Sequence, residues 1–382
     1  MPVVTTTVPL TKPTLGEEEE RAVLEVLRSG WLVQGERVAA FERRVAEYVG
    51  AKHAVATTNC TTALQLALEQ LHLQPGDEVI VPSFTFVASV NAIIHAGGTP
   101  RIVDVQPDTW NIEPDEVERA VNERTRAVLP VDQFGLAADI DAILDIAQRH
   151  GLRVIEDAAP ALGAIVRGRR VGALSEMTCF SFHPRKSVTS AEGGMITTDS
   201  DEAAERARLL RSHATSVSDL ARHAAQGVIV EEYPEAGYNF RMSDLHAAVG
   251  LAQLARLDWA IARRRELAAA YDAALAGIEA VQVPHARDGF FHTYQSYCIV
   301  LTDAARITRD EAMQQLKRRG VTTRRGCMAV HLEPYVTKRY GRASLPVSER
   351  LEARSIAIPL FPTMTADEQA QVIEAVRDVV VG

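Results

Sequence analysis

Cysteine is scarce in this chain, and the few cysteines lie far apart. Four are present among 382 residues, at Cys60, Cys179, Cys298 and Cys327. Their spacing is typical of neither a zinc site nor a disulfide framework, both of which place cysteines in close pairs. We therefore expect free thiols that are mostly buried, and no metal site.

Long hydrophobic runs are missing as well. The amino terminus, Met1–Thr7, lacks the basic region and the apolar run of a signal peptide. No later segment is long and apolar enough to span a bilayer. These absences predict a cytoplasmic protein without a membrane partner.

Positive charge is in deficit, with 41 Lys and Arg against 50 Asp and Glu and a formal net charge of -9. A mildly acidic surface argues against a general nucleic-acid binder. Any anionic substrate would therefore need a local basic pocket.

What the chain does contain is an alternation of strand-like apolar runs and helical segments. This alternation predicts an α/β fold with a seven-stranded, mostly parallel sheet and right-handed crossovers. Ligands of such sheets bind at the carboxyl ends of strands. The predicted strands are His53–Thr57, Glu78–Pro82, Pro100–Asp104, Arg126–Val131, Arg153–Asp157, Thr178–Phe182 and Gly194–Thr197, and the clearest helices are Thr61–Leu71, Thr85–Ala96 and Asp139–His150.

A different pattern follows a long, charged helical stretch over Ser243–Leu275. The chain is too long for one small core, which favours a large domain with a smaller partner. We predict a large domain with a short amino-terminal arm over residues 1–255, and a smaller α+β domain over residues 256–382. Its predicted elements are the strands Tyr294–Leu301 and Val321–Thr323 and the helices Arg309–Arg319 and Ala366–Val381.

One lysine stands in a tight turn just after an apolar strand, in the segment Phe180–Lys186, which Glu192-Gly193-Gly194 follows. A lysine that forms a Schiff base needs a pKa lowered by burial or by neighbouring positive charge. His183 and Arg185 lie beside Lys186. Taken alone, Lys186 would be a solvated surface lysine, but this setting favours a pyridoxal phosphate (PLP) site.

PLP chemistry also needs an acid, because a carboxylate against the ring nitrogen keeps that nitrogen protonated. The predicted strand Arg153–Asp157 ends in two carboxylates. Successive side chains of a strand face opposite ways, so only one of the pair can point at the cofactor. We choose Asp157 rather than Glu156; the alternative is that Asp157 caps a following helix.

Two further segments suit the rest of the cofactor. In Thr57–Leu64 a turn opens a helix, where free N–H groups and the helix dipole favour a phosphate. Thr61 and Thr62 lie in its first turn, and simple capping by Asn59 or Thr61 is the other interpretation. A ring-stacking aromatic is expected past the next strand, where residues 82–89 offer Phe84 and Phe86.

Together these motifs resemble the DegT/DnrJ/EryC1/StrS aminotransferases, PLP enzymes of fold type I, many of which aminate keto-sugars attached to nucleotides. The resemblance runs nearly from end to end. It implies an α/β fold with a large PLP-binding domain and a smaller carboxyl-terminal domain. Its further landmarks are Gly30–Gly35, Gly237–Met242 and Ile358–Pro362.

The resemblance also implies roles for single residues. Lys186 would form the Schiff base with PLP and move the proton, Asp157 would pair with the pyridinium, and Phe86 would stack on the ring. The residue matching Asn239 would reach the phosphate in the neighbouring subunit, which implies a homodimer with shared active sites. The remaining phosphate-binding residues implied by the resemblance are Thr61, Thr62 and Ser181.

The sequence departs from the family pattern at two positions. Pro160 stands where members often have Gln or His, and Asp132 replaces the histidine of a Pro-Val-His sequence near the expected substrate side. In the predicted small domain, Arg324, Arg325 and His331 either meet an anionic group or form a solvated basic turn.

The resemblance predicts a ping-pong transfer from L-glutamate to a nucleotide-linked keto-deoxysugar, as expected of covalent catalysis. The nearest alternative is the same chemistry on a cyclitol ketone, a primary amine or a diamine. A sugar dehydratase of this family would carry histidine in place of Lys186. A non-catalytic protein on this fold is disfavoured by the intact set of Lys186, Asp157, Ser181 and Asn239.

Overall fold

The computed structural model describes residues 7–217, 227 and 230–381. Strands and helices alternate through the first two hundred residues. In chain order the strands are β1 (His53–Thr57), β2 (Glu78–Pro82), β3 (Phe84–Thr85), β4 (Thr99–Val103), β5 (Thr125–Val128), β6 (Arg153–Asp157), β7 (Ile165–Val166), β8 (Arg169–Arg170), β9 (Met177–Ser181), β10 (Gly194–Thr198), β11 (Val281–Gln282), β12 (Phe290–Phe291), β13 (Tyr297–Leu301), β14 (Arg324–Arg325), β15 (Met328–Ala329) and β16 (Ser355–Ile358).

Helices connect and cover these strands, and two short 3-10 turns lie at Gln133–Gly135 and Val330–Leu332. The helices in the described ranges are α1 (Glu17–Ser29), α2 (Glu36–Val49), α3 (Cys60–Glu69), α4 (Val87–His95), α5 (Pro114–Ala120), α6 (Ile140–His150), α7 (Asp201–Leu210), α8 (Asp244–Leu254), α9 (Leu257–Leu275), α10 (Arg309–Arg318), α11 (Pro334–Tyr340), α12 (Pro346–Arg354) and α13 (Ala366–Val381).

A central sheet of seven strands has the order β1, β10, β9, β6, β5, β2, β4. The strands from β9 to β4 run parallel, whereas β10 is antiparallel to both of its neighbours. The predicted α/β fold with a mostly parallel seven-stranded sheet is therefore confirmed. The bounds of β1, β2 and β6 agree with the prediction to the residue.

The two faces of the central sheet are covered by different helices. One buried core joins side chains of α3 and α4, such as Leu64 and Ile93, to the face that carries Ile155 of β6. A second core joins α2 and α6 to the opposite face, which carries Val154. Because side chains alternate along a strand, adjacent residues at the end of β6 enter different environments.

A second sheet, with the order β11, β13, β16, β14, forms the smaller α+β unit together with α10 and α13. Helix α9 joins the two units: Leu257 and Ile261 pack in the core of the large sheet, and Leu267 and Leu275 pack in the core of the small one. The boundary placed at residue 255 stays a prediction, because this helix belongs to both cores.

Two predicted elements differ by more than the position of their ends. The helical stretch over Ser243–Leu275 forms two helices, α8 and α9, rather than one. The strand expected at Val321–Thr323 begins later, as β14, and Val321 instead forms a parallel bridge with Val8 of the amino-terminal arm. That pairing partner is more than three hundred residues away, and the local sequence does not reveal it.

Two further features are absent from the described residues. None of their helices has both the length and the hydropathy of a membrane span. Nowhere in these ranges do three His, Cys, Asp or Glu side chains meet in an arrangement that could hold a metal ion.

Candidate active site

A cavity of about 370 Å³ lies at the carboxyl ends of β6 and β9, beside the amino-terminal end of α3. Both sheets contribute to its wall. Five of the predicted site residues line it: Thr61, Phe86, Asp157, Ser181 and Lys186.

Thr62 and Asn239 do not belong to the cavity wall. Asn239 is exposed and forms an isolated antiparallel bridge with Ser212, away from this cavity. A larger cavity, of about 510 Å³, contains neither Lys186 nor Asp157. The predicted chemistry therefore falls in the smaller cavity.

The lysine turn is closed by backbone hydrogen bonds. The N–H of Lys186 donates to the carbonyl of His183 at 2.8 Å, and the N–H of Arg185 donates to Nδ1 of His183 at 3.2 Å. Burial lowers the pKa of Lys186, and nearby Cys60 and Asp157 oppose this shift. Burial, more than the neighbouring cations considered from sequence, thus favours a neutral amine.

The glycine pair after the lysine turn permits a close approach of two backbones. Gly194 is the first residue of β10 and lies opposite Thr57 of β1. A Cβ atom at Gly194 would lie 2.3 Å from the carbonyl oxygen of Asn59. Only glycine fits there, since real Cβ contacts are never so short. The approach brings the start of β10 against the turn that opens α3.

Asp157 is buried at the end of β6 and is fixed by two donors. The hydroxyl of Ser89 donates to Oδ2 at 2.7 Å, and the N–H of Ala159 donates to Oδ1 at 3.2 Å. Burial raises the pKa of Asp157, while these hydrogen bonds and Lys186 lower it. No helix follows directly, so the alternative that Asp157 caps a helix is wrong.

The neighbouring Glu156 faces the other side of the sheet. Its Oε2 accepts hydrogen bonds from Thr178 and Ser175 at 2.9 and 3.1 Å. Its Oε1 is buried and has no donor among the described residues. Glu156 therefore takes no part in the cavity.

Asp132 belongs with Glu156, which corrects the expectation that it lies near the substrate. Asp132 is buried and absent from the cavity wall; its Oδ1 accepts the N–H of Ala138 at 2.8 Å, and its Oδ2 has no donor among the described residues. Burial, with the charge of Glu156, raises the pKa of Asp132, and burial raises that of Glu156. A proton shared between the two carboxyl groups supplies the missing donor. Gln133 lines the cavity instead.

The amino-terminal end of α3 is suited to a phosphate. Asn59 and Thr62 cap the helix reciprocally: Oδ1 of Asn59 accepts the N–H of Thr62 at 3.0 Å, and the N–H of Asn59 donates to the Thr62 hydroxyl at 3.3 Å. The N–H groups of Cys60 and Thr61 have no acceptor within the helix. Thr61 and Ser181 bring hydroxyl groups to the same wall.

The structure separates two phenylalanines that the sequence leaves open. Phe84 is fully buried, and its ring meets that of Phe134 at 6.2 Å in an edge-on contact. Phe86 is 51% exposed and lines the cavity. Phe86 is therefore the one of the two whose ring a cofactor can cover.

Sequence reasoning missed Ser89, Gln133 and Gln295. Ser89 comes one turn after Phe86 on α4, and a hydroxyl at that spacing was the available signal. Gln295 donates through its side-chain amide to the carbonyl of Arg185 and thereby ties the smaller unit to the lysine turn. His331 is buried outside the cavity, with Nδ1 2.5 Å from the Ser83 hydroxyl.

The residues present fit PLP. The cavity combines an amine whose pKa is lowered, a buried carboxylate held by two donors, a helix end with free N–H groups and an aromatic ring. These are the groups needed for the aldehyde, the ring nitrogen, the phosphate and the ring face of the cofactor.

Comparison with known proteins agrees with this geometry. Residues 13–377 match the DegT/DnrJ/EryC1/StrS aminotransferase family. The chain is 41% identical over 378 residues to the spore coat polysaccharide biosynthesis protein SpsC of Bacillus subtilis, covering 98% of this chain and 97% of that one.

Solved structures extend the likeness to the whole fold. Helicobacter pylori PseC, an aminotransferase involved in the biosynthesis of pseudoaminic acid, has a TM-score of 0.93 and 26% identity, covering 98% of this chain and 100% of the other. Spr1654 of Streptococcus pneumoniae, solved in a PLP form and a PMP form, has TM-scores of 0.91 and 0.92 at 27% and 28% identity, covering 98% of this chain and 99% of the other. Taken with the match over nearly the whole sequence, these likenesses establish that the chain belongs to the DegT/DnrJ/EryC1/StrS aminotransferase family and is a PLP-dependent aminotransferase.

Proposed function

We propose that this aminotransferase moves an amino group from L-glutamate to the keto group of a nucleotide-linked deoxysugar by a ping-pong mechanism. The observation that carries the proposal is the meeting of Lys186 and Asp157 in one cavity with a phosphate-binding helix end. The names of SpsC and PseC, which refer to polysaccharide and pseudoaminic acid biosynthesis, support a sugar as the acceptor.

When bound, PLP supplies an electron sink for the bond to the donor's α-carbon. Lys186 would hold the cofactor through its amine; once the donor amine takes its place, Nζ of Lys186 would remove the proton from the donor's α-carbon and deliver it to the cofactor carbon that had carried the lysine. Burial lowers the pKa of this amine, which favours the neutral form that can accept a proton. Asp157 keeps a proton on the ring nitrogen.

The other side chains of the cavity position the cofactor. Phe86 covers one face of the ring and excludes water. Thr61 and Ser181 donate to the phosphate together with the N–H groups at the start of α3. Thr62 acts on the same group through its helix cap, and its direct contact with phosphate stays a prediction.

We also propose a homodimer with shared active sites and a cytoplasmic location. Asn239 is exposed and lies outside the cavity of its own chain. This placement supports a role in which it reaches the phosphate bound by a second copy. A chain that does not dimerise would then lack one phosphate ligand.

One observation favours a second candidate, the same chemistry on a cyclitol ketone, a primary amine or a diamine. Pro160 lines the cavity where relatives of this family often have Gln or His, so one polar contact to the ligands is missing. Proline has no N–H and no polar side chain, so it cannot replace that contact.

The visible absorption spectrum of the PLP-loaded protein tests the proposal. L-glutamate should bleach the band of the bound cofactor, and a small diamine should not. Bleaching by the diamine alone would replace the first candidate with the second. Lys186→Ala should lose the band, and Lys317→Ala, which changes a lysine of α10 outside the cavity, should keep it.

A further inference from the structure

The cavity wall contributed by the smaller unit carries an arginine that the cofactor does not need. We propose that Arg324 binds an anionic group of the substrates, either the distal carboxylate of the amino donor or a phosphate of the acceptor. The inference rests on the proposed function, because both substrates named there are anionic.

Arg324 is placed beside the lysine turn by the small sheet. It lies opposite Ala357 of β16, and both residues line the cavity. The pKa of His183 is lowered mainly by burial, and the positive charges of Lys186 and Arg324 lower it further. Arg324 is therefore close enough to His183 for their charges to interact. Arg324 therefore faces the cavity interior, on the side of the reacting lysine.

The next residue, Arg325, has a different setting. Its guanidinium lies 3.7 Å from Glu333 and 3.6 Å from Glu352. Arg325 is thus partly neutralised by two carboxylates, although it also borders the cavity.

Arg324 has no such partner. The side chain of Arg324 is partly buried. Among the described residues, none forms a hydrogen bond or an ion pair with its guanidinium. The two carboxylates of the cavity wall are Asp157, which is held by Ser89, and Glu192, which is exposed. An arginine stays charged at any physiological pH, and a partly buried charge without a partner is unfavourable. A bound anion would remove that cost.

The chemistry of this anion follows from the guanidinium group. Its planar fork of donors matches a carboxylate or a phosphate in a bidentate pair. The cofactor phosphate already has Thr61, Ser181 and the start of α3. With a net charge of -9, the protein as a whole repels anions. Arg324 supplies the local attraction that anionic substrates need.

The test compares Arg324→Gln with Arg325→Gln as the matched control, in the PLP-loaded protein. Two unreactive probes, glutarate for the dicarboxylate and UDP for the diphosphate, are titrated by calorimetry, and L-glutamate is titrated by absorption. Arg324→Gln should lower the affinity for at least one probe about tenfold, as expected when a charge-assisted hydrogen-bonded pair is lost. Arg325→Gln should stay within about threefold, and Arg324→Lys should recover part of the loss. Affinity for PLP should not change.

Weaker glutarate binding assigns Arg324 to the donor carboxylate, and weaker UDP binding assigns it to the acceptor phosphate. If Arg324→Gln binds both probes as well as the wild type, or if the wild type binds neither, the inference is wrong. Weaker PLP binding in Arg324→Gln would assign the arginine to the cofactor and contradict it as well. Failure of the proposed function looks different: L-glutamate leaves the wild-type spectrum unchanged, while the two probes still report on Arg324.

Discussion

Asp157 and Glu156 are adjacent acidic residues on one buried strand, yet they lie in different environments. Asp157 faces the cavity and is held by Ser89, a residue of α4. Glu156 faces the opposite core, where Thr178 holds one oxygen and Asp132 lies close to the other. The alternation of a β-strand thus places one carboxyl group in the wall of the cavity and the other in the structural core.

The comparison teaches that burial alone does not distinguish a carboxylate that faces the cavity from one in the structural core. Burial raises the pKa of both groups. Each carboxyl group accepts two hydrogen bonds; what differs is the nearby ionisable group, which is Lys186 for Asp157 and the carboxyl group of Asp132 for Glu156. The first arrangement favours an ionised acid beside a cofactor, and the second favours a shared proton. The following predictions test this distinction.

The largest effect is expected from Asp157→Asn compared with Glu156→Gln. Removing the charge beside the ring nitrogen should lower the rate of the donor half-reaction about 10³-fold, within the usual range for proton-transfer partners. Glu156→Gln should keep the rate within about threefold, because its side chain lies outside the cavity. Stopped-flow absorption with L-glutamate measures both rates. Comparable losses in the two variants would remove the distinction between the two faces.

Ser89→Ala should give an intermediate loss of activity. The hydroxyl of Ser89 lowers the pKa of Asp157, whereas burial raises it. Removing the hydroxyl should therefore raise the pKa of Asp157 further. We expect about a tenfold slower half-reaction, the typical effect of a hydrogen bond to a charged group. Ser175→Ala is the control on the Glu156 side and should not slow the reaction. An unchanged rate in Ser89→Ala would show that Ala159 alone suffices to orient Asp157.

The carboxyl pair should make the stability of the wild type depend on pH. The pKa of Asp132 is raised in the folded state, so its stabilising contribution is complete below its ordinary pKa and is lost as pH rises through the raised pKa. Asp132→Asn supplies a permanent N–H donor to Glu156. We expect its free energy of unfolding to exceed that of the wild type by about 1 kcal/mol at neutral pH. Urea unfolding at several pH values measures this difference, and equal pH slopes in both proteins would contradict the shared proton.

The smallest effects are expected at the start of α3. There the adjacent residues Thr61 and Thr62 differ, because Thr61 lines the cavity and Thr62 belongs to the helix cap. Thr61→Val should weaken PLP binding a few-fold by removing one hydroxyl donor. Thr62→Val should instead lower the free energy of unfolding by about 0.5–1 kcal/mol, because it removes the hydroxyl that accepts the N–H of Asn59 in the helix cap. Equilibrium dialysis and urea unfolding separate the two results. If Thr62→Val lost the cofactor more than Thr61→Val, the direct phosphate contact predicted from the family would be favoured.

Much of this arrangement could be predicted from sequence. The period of two in β6 correctly predicts that only one of its two acids enters the cavity, and turns after strands locate Lys186 and Thr61. Contacts between distant segments could not be predicted in this way. Asp132 lies beside Glu156, and the hydroxyl of Ser89 reaches Asp157, only because the fold brings residues from distant parts of the chain to one edge of the sheet. The same holds for Val8, which forms a bridge with Val321, a residue predicted to lie in the strand that begins only at Arg324.

The central claim is that Lys186 is the residue that holds PLP. Borohydride reduction of the PLP-loaded protein converts the carbon–nitrogen double bond to a stable secondary amine, and peptide mass spectrometry then locates it. The account predicts the phosphopyridoxyl group on Lys186 in the wild type and no label in Lys186→Ala. A label on another lysine, or labelling that persists in Lys186→Ala at the wild-type level, would contradict the account.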